Sequence, residues 1–225
     1  MAFTHSPKIV TSNLTFYVDA ANKNSYKGSG TSWNDLSGND NNTTLNNGPT
    51  FNGSKGGNIL FDGVDDYASI PNTINLGNTF TISSFIRLTS NNGDTSVTGT
   101  NANGSDNWFG INGNKIYLFY TQSSDVNNSA LLGATTLSNG IFYQITGVIN
   151  GATSIVYLNG VQDGTRTESF TIGSWNGAYA IGRRSSDVAQ RYFNGNIANV
   201  VFYNRVLTAT EILRNFNATK TRFGL

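Results

Sequence analysis

Hydrophobic and polar residues alternate along most of this chain in short runs broken by Asn and Gly. A period of two is what a half-buried strand requires. Near the start, Leu14, Phe16 and Val18 alternate with Thr15, Tyr17 and Asp19. In "TFTISSFIRL", Phe80, Ile82, Ser84, Ile86 and Leu88 share one face. Asn112-Gly113, Asn150-Gly151 and Asn159-Gly160 each separate two apolar runs, and Asn-Gly readily takes positive φ, so each predicts a hairpin. Roughly a dozen short strands with no helical period between them predict a sandwich or jelly roll, not strand–helix–strand units. No linker-like tract divides the pattern, so one domain over residues 1–225 is expected, with 1–8 and 218–225 as tail-like ends.

Two stretches depart from the alternation. Residues 21–55 form a long polar region whose apolar anchors are Tyr26, Trp33, Leu36, Leu45 and Phe51. It is expected to be an ordered loop pinned by Trp33 and Leu36. The other is the end of the chain, "YNRVLTATEILRNFNATKTRFGL". Thr208 and Glu211 have the spacing of a capping box, and Ile212, Leu213 and Phe216 form an apolar stripe. Lys220 and Arg222 follow near the C-terminal end, where cations suit the helix dipole. A helix from Ala209 to about Thr219 is predicted, too short to be stable unless it docks over one end of the sandwich.

Composition narrows the function classes. Of 225 residues only 12% are charged and the formal net charge is +1, which excludes the clustered Lys and Arg of a nucleic-acid footprint. Aromatics reach 12%, which argues against disorder. There is no Cys, so thiolate metal sites and disulfides have no role. The start, "MAFTHSPKIV", lacks the pattern of a signal peptide, and no apolar run approaches the ~20 residues of a membrane helix. Cytoplasmic synthesis without membrane insertion is expected.

Four motifs then carry a resemblance. "SWNDLSGNDNN", "NILFDGVDDYASIP", "FYQITGVINGATSIVYLNGVQDG" and "FNGNIANVVFYNRVLTATEI" occur in the order seen in concanavalin A-like lectin/glucanase domains of the laminin-G-like kind. The resemblance covers roughly residues 9–217. It implies an all-β, two-sheet antiparallel jelly-roll sandwich with one short C-terminal helix and neighbouring chain ends. The ending "EILRNFNATKTRFGL" also resembles that of such domains in structural proteins of tailed phages. That likeness implies a non-enzymatic virion component, such as a head decoration, neck or fibre subunit, assembled in the bacterial cytoplasm. Its partners would be other virion proteins, in a homo-oligomer or bound to capsid or tail. Surface glycans are a further ligand class, and a stand-alone lectin module is the alternative.

The glucanase branch of the family uses paired carboxylates in an E-x-D-x-E pattern. Here Glu occurs only at Glu168 and Glu211, and Asp65-Asp66 would point to opposite faces if both lay in a strand. The single His, His5, lies in a tail-like segment. A glycan hydrolase is therefore the weakest reading. No cofactor is required. Ca²⁺ is an optional staple for the long loop, with Asp35, Asn39, Asp62 and Asp65 as hard oxygen ligands. The family's acidic pair before the last strand is here Ala198 and Asn199. Carbohydrate contact is expected at Trp108, Tyr117, Tyr120, Trp175 and Arg183, because sugars stack on aromatics beside planar polar groups. Lys220, Arg222 and Phe223 exceed what capping needs and are expected to meet a neighbouring subunit. Strand addition at a sheet edge is a further docking route.

Overall fold

Alternation with a period of two becomes two antiparallel sheets stacked face to face. A computed structural model describes residues 8–90, 93–102, 105–122, 128–184 and 191–225. His5 and most of the first tail-like end lie outside the described residues. The first half of the chain gives β1 (Leu14–Asp19), β2 (Ser32–Trp33), β3 (Thr43–Asn46), β4 (Thr50–Asn52), β5 (Asn58–Asp62), β6 (Tyr67–Asn75), β7 (Thr79–Leu88) and β8 (Thr95–Ala102). The second half gives β9 (Ser105–Asn112), β10 (Lys115–Thr121), β11 (Asn128–Leu132), β12 (Phe142–Asn150), β13 (Thr153–Leu158), β14 (Val161–Thr167), β15 (Asn176–Ile181) and β16 (Asn194–Tyr203). Helix α1 (Ala209–Thr219) and a 3₁₀ turn (Lys220–Phe223) end the chain.

The first sheet runs β14-β13-β12-β7-β16-β5-β4, with β1 also paired to β16. The second runs β11-β10-β9-β8-β15-β6-β3-β2. Between them lies one cluster of buried side chains that includes Phe80, Ile82, Ile86, Leu88, Phe109, Leu118, Ile145 and Tyr179. The face read from "TFTISSFIRL" is thus the inward face.

Several local expectations change. A bulge between Leu14 and Phe16 turns Leu14 to the opposite side from Phe16 and Val18, so β1 does not alternate cleanly. Residues 21–55 are not one loop. They contain β2, β3 and β4, with Trp33, Tyr26 and Leu45 in the core. Of the three Asn-Gly pairs, Asn159-Gly160 forms a two-residue turn with both φ positive (51° and 82°). The other two slip by one residue. Asn112 pairs with Lys115 and leaves Gly113 and Asn114 in the loop, and Asn150 pairs with Thr153.

The helix forms at the predicted residues. Its capping box is complete, with the Thr208 hydroxyl accepting from the Glu211 N–H and the Glu211 carboxylate accepting from the Thr208 N–H. It packs on the outer face of the first sheet and not over an end of the sandwich. There Ile212 joins Val148, Tyr157, Val201 and Tyr203. Leu213 is 42% exposed, and the inward stripe is completed by Asn215 and Thr219 instead. Asn215 accepts from the Val10 N–H at 2.8 Å and donates to the Tyr203 hydroxyl at 3.0 Å, stitching the incoming chain to the last strand.

The tail expected to meet a partner is half-buried and packs back onto its own chain. Arg222 donates from both terminal nitrogens to the Asp19 carboxylate at 2.7 and 2.8 Å, and Asp19 is only 4% exposed. The Tyr17 hydroxyl donates to the same carboxylate, and burial followed by the Asp19 charge pushes the Tyr17 phenol far up. The Phe223 ring stacks 4.4 Å from Phe85 and lies 4.8 Å from Phe142. Lys220 sits over the Phe216 ring. Outer strand β14 is also engaged: Ala134 N–H donates to the Asp163 carbonyl, Thr135 to the Asp163 side chain, and Arg166 to the Ala130 carbonyl. This leaves less of that strand open to strand addition.

Two outcomes follow. Arg222→Ala leaves the Asp19 carboxylate buried without its counter-charge and should cost about 3 kcal/mol, and Phe223→Ala about 2 kcal/mol, read from urea midpoints. A tail free in solution would leave both midpoints unchanged. The Arg205 guanidinium, then the Thr208 N–H, hold the Glu211 carboxyl down at about 2, against an ordinary 4.5. A depressed carboxyl stabilises the fold above its unfolded value and loses that contribution as pH falls through the window from 4.5 to about 2. Glu211→Gln should be less stable than the parent at pH 7 by about 1 kcal/mol and indistinguishable from it near pH 2, by thermal unfolding.

Candidate functional site

The two sheets differ in what covers their outer faces. The first is sealed by residues from 8 onward, α1 and the 3₁₀ turn. On the second, the described stretches 182–184 and 191–193 lie against β8. Ser96 N–H donates to the Arg191 carbonyl at 2.8 Å, and the first stretch is anchored where Gly182 N–H donates to the Val97 carbonyl at 2.9 Å. A glycine is needed beneath it, since a Cβ on Gly99 would overlap the Arg184 carbonyl oxygen.

Register fixes which side chains share this outer face. Ala130, Phe119, Trp108, Gly99, Ala180 and Ser69 form one continuous row across β11, β10, β9, β8, β15 and β6. Leu132, Tyr117 and Gly110 form the next. Trp108 has its ring 4.7 Å from Tyr117 and 5.9 Å from Phe119. The Arg191 guanidinium lies over that indole, 5.0 Å from its centre, and is ion-paired with Asp94. Further along the face, Arg183 stacks 3.6 Å over Tyr67. Burial, followed by the Asp94 charge, raises the Tyr117 phenol above its usual value.

The five expected sugar contacts therefore separate. Trp108, Tyr117 and Arg183 lie on this face, while Tyr120 and Trp175 point between the sheets. Trp175 is fully buried against Phe80. The Tyr120 hydroxyl donates to Glu168 at 2.8 Å, and Ser129 donates to the same oxygen at 2.7 Å. Burial alone would raise the Glu168 carboxyl, but these hydroxyls and Arg166 hold it below its ordinary value. Glu168 is a clip between the sheets. Trp108 itself is 1% exposed, so it is the base of the aromatic cluster, and the accessible surface belongs to Tyr117, Phe119 and Leu132. Phe119, Leu132, Asp94 and Tyr67 were missed. Period two around Trp108 would have put Tyr117 and Phe119 on one side, but only the pairing register brings them to the indole.

The acidic candidates also separate. Asp35 accepts from Tyr17 N–H, Ser37 N–H, the Ser37 hydroxyl and Asn41 N–H, and the Asn39 amide donates to the Leu14 and Thr15 carbonyls. Both organise the loop. Asp62, Asp65 and Asp66 offer carboxylate oxygens within 4.8 Å of one another. Asp65 and Asp66 lie in a turn ahead of β6, so the opposite-face argument for that pair does not apply. Hydrogen bonds from Val64 N–H and its neighbours lower the Asp62 carboxyl, whereas burial raises that of Asp66. The expected calcium set thus reduces to the acidic turn, whose inner oxygens already bind backbone N–H groups. A cleft of about 590 Å³ opens elsewhere, between Ile9, Leu14, Tyr17, Leu36 and Arg222, but its Tyr17 and Arg222 polar atoms are committed to Asp19.

Two antiparallel sheets, one sealed and one presenting aromatics with guanidinium groups, define a lectin-like sandwich. Residues 62–213 match the family model described as the concanavalin A-like lectin/glucanases superfamily, and the chain belongs to that family. No curated protein sequence matches it. Among solved structures, the binding domain of Paraclostridial Mosquitocidal Protein 1 is similar at TM-score 0.72 and 16% identity, covering 92% of this chain and 52% of that one. Domain 4 of AbnA, a GH43 extracellular arabinanase from Geobacillus stearothermophilus, gives 0.65 and 18%, covering 89% and 97%. The botulinum neurotoxin DC binding domain gives 0.69 and 16%, covering 93% and 52%. The chain spans about half the length of the toxin binding domains it matches. These likenesses concern the fold. Among the described residues no helix is long and apolar enough to cross a membrane.

The division between base and surface has a measurable consequence. Trp108→Ala should cost about 3–5 kcal/mol in urea unfolding, and Tyr117→Ala about 1 kcal/mol. Equal costs would contradict the arrangement.

Proposed function

We propose that this chain is a non-enzymatic glycan-binding module that holds carbohydrate on the outer face of its second sheet. The observation that carries the reading is the strip of Leu132, Tyr117 and Phe119 over buried Trp108, with Arg191 and Asp94 beside it. Apolar ring faces accept the C–H face of a sugar, and adjacent planar polar groups fix its hydroxyls. Two structures with this fold support it: the arabinanase domain is in complex with arabinotriose, and the neurotoxin binding domain with SialylT. Absence of catalysis is proposed because Glu211 is spent on the helix cap and Glu168 on the inter-sheet clip. The acidic turn has carboxylates at a separation near the ~5 Å of retaining glycosidases, but it is bound to its own backbone and is not part of the aromatic face.

The setting we propose is an exposed subunit of a tailed-phage virion, on the strength of the ending "EILRNFNATKTRFGL". There the module would be attached to other virion proteins and present its second sheet outward.

A glycan array on the purified chain tests the binding function. Specific glycans should be retained, and Tyr117→Ala and Phe119→Ala should each weaken binding about tenfold or more while unfolding remains cooperative. Oligosaccharide cleavage that is lost in Asp65→Asn would replace the reading with a hydrolase.

A further inference from the structure

The aromatic strip ends at a pair of opposite charges with unused hydrogen-bonding capacity. Asp94 immediately precedes β8, and Ser96 in that strand holds the Arg191 carbonyl, so the two side chains meet at one corner of the outer face. Arg191 donates from Nη1 to Asp94 Oδ2. Among the described residues this is the one hydrogen bond that either side chain makes. About a third of each side chain is exposed (33% for Arg191 and 30% for Asp94). Asp94 Oδ1 is left as an acceptor and Arg191 Nη2 as a donor, side by side. Register joins this corner to the strip. Tyr117 pairs with Gly110, and Gly110 with Ser96. Gly110 lets β8 close in there, since a Cβ on it would overlap the Thr95 carbonyl oxygen. The guanidinium itself lies 5.0 Å from the centre of the Trp108 indole, which is 4.7 Å from the Tyr117 ring.

We infer that this corner selects a neutral sugar through two adjacent hydroxyls, one donating to Asp94 and the other accepting from Arg191, while the sugar's C–H face lies on Tyr117 and Phe119. The inference rests on the glycan-binding reading above and specifies its ligand. A hydroxyl both donates and accepts, so a vicinal pair complements a carboxylate oxygen beside a guanidinium nitrogen. Each bond has one charged partner and is therefore among the stronger kind. An anionic substituent in the same place would gain Arg191 but meet the like charge of Asp94, and an ammonium group would meet the reverse. Discrimination thus comes from the pairing of the two charges. The electrostatics of the strip agree: after burial, the Asp94 charge raises the Tyr117 phenol and the Arg191 charge lowers it, so both groups act on the ring that the sugar would cover.

Calorimetric titration with arabinotriose, cellotriose and mannotriose tests this, each beside analogues in which one hydroxyl at a time is removed or sulfated. At least one parent sugar should bind. Two adjacent positions on it should each lose about tenfold or more on deoxygenation, and at least as much on sulfation. Asp94→Asn should weaken the parent sugar about tenfold and erase most of the sulfation penalty at those positions, while Arg191→Lys should keep part of the affinity. Asp94→Asn keeps the side-chain shape and leaves Arg191 over Trp108, and cooperative unfolding of the variant guards against a folding effect. Unchanged affinity in Asp94→Asn, or losses scattered over non-adjacent hydroxyls, would overturn the diol contact and leave glycan binding standing. A sulfated analogue that binds more tightly than its parent would overturn the neutral ligand. No binding to any of these sugars by a cooperatively folded chain would overturn both readings.

Discussion

The ion pair between Asp19 and Arg222 settles how the rest of the molecule is used. Asp19 ends the first strand, beside the last one, and Arg222 lies in the final turn of the chain. Two charges removed from water need excellent geometry to remain paired, and here the bidentate fork, the Tyr17 hydroxyl and the Ala21 N–H supply it. With Arg222 fixed, Phe223 is carried onto Phe85 and Phe142, and α1 is held along the first sheet. The centre of one outer face is thereby covered by the chain's own ends. The glycan face proposed above accordingly lies on the other sheet.

That second face has a different logic. Its centre is built from small residues, Gly99 and Ala180, which let a backbone segment lie directly on the strands. Arg183 stacks on Tyr67 there, and Arg191 on the Trp108 cluster. Guanidinium groups are brought to aromatics because residues 182 and 191 are tied down at Val97 and Ser96, while the strands provide the flat support.

Local signals in the sequence were legible, and non-local ones were not. The helix boundaries could be read because a capping box is decided within four residues, and the inward face of β7 because strand alternation is intrinsic. Leu14 was misplaced by a bulge that depends on its partner strand. Trp108 and Trp175 look equivalent along the chain, yet one faces outward under an arginine and the other fills the core. Arg222 and Phe223 looked like surplus at a free end, because their partners lie some two hundred and about eighty to one hundred and forty residues earlier. Asp35 and Asn39 carried the composition of a metal loop while serving as turn formers, a double use that composition cannot separate.

The most direct test of a ligand face confined to the second sheet is amide chemical-shift mapping during titration with the tightest-binding oligosaccharide. Perturbations should concentrate at residues 94–99, 107–119, 130–132, 182–184 and 191–193, with α1 and the 3₁₀ turn unaffected. Perturbations centred on the cleft between Ile9, Tyr17 and Arg222, with none on β9 and β10, would contradict it.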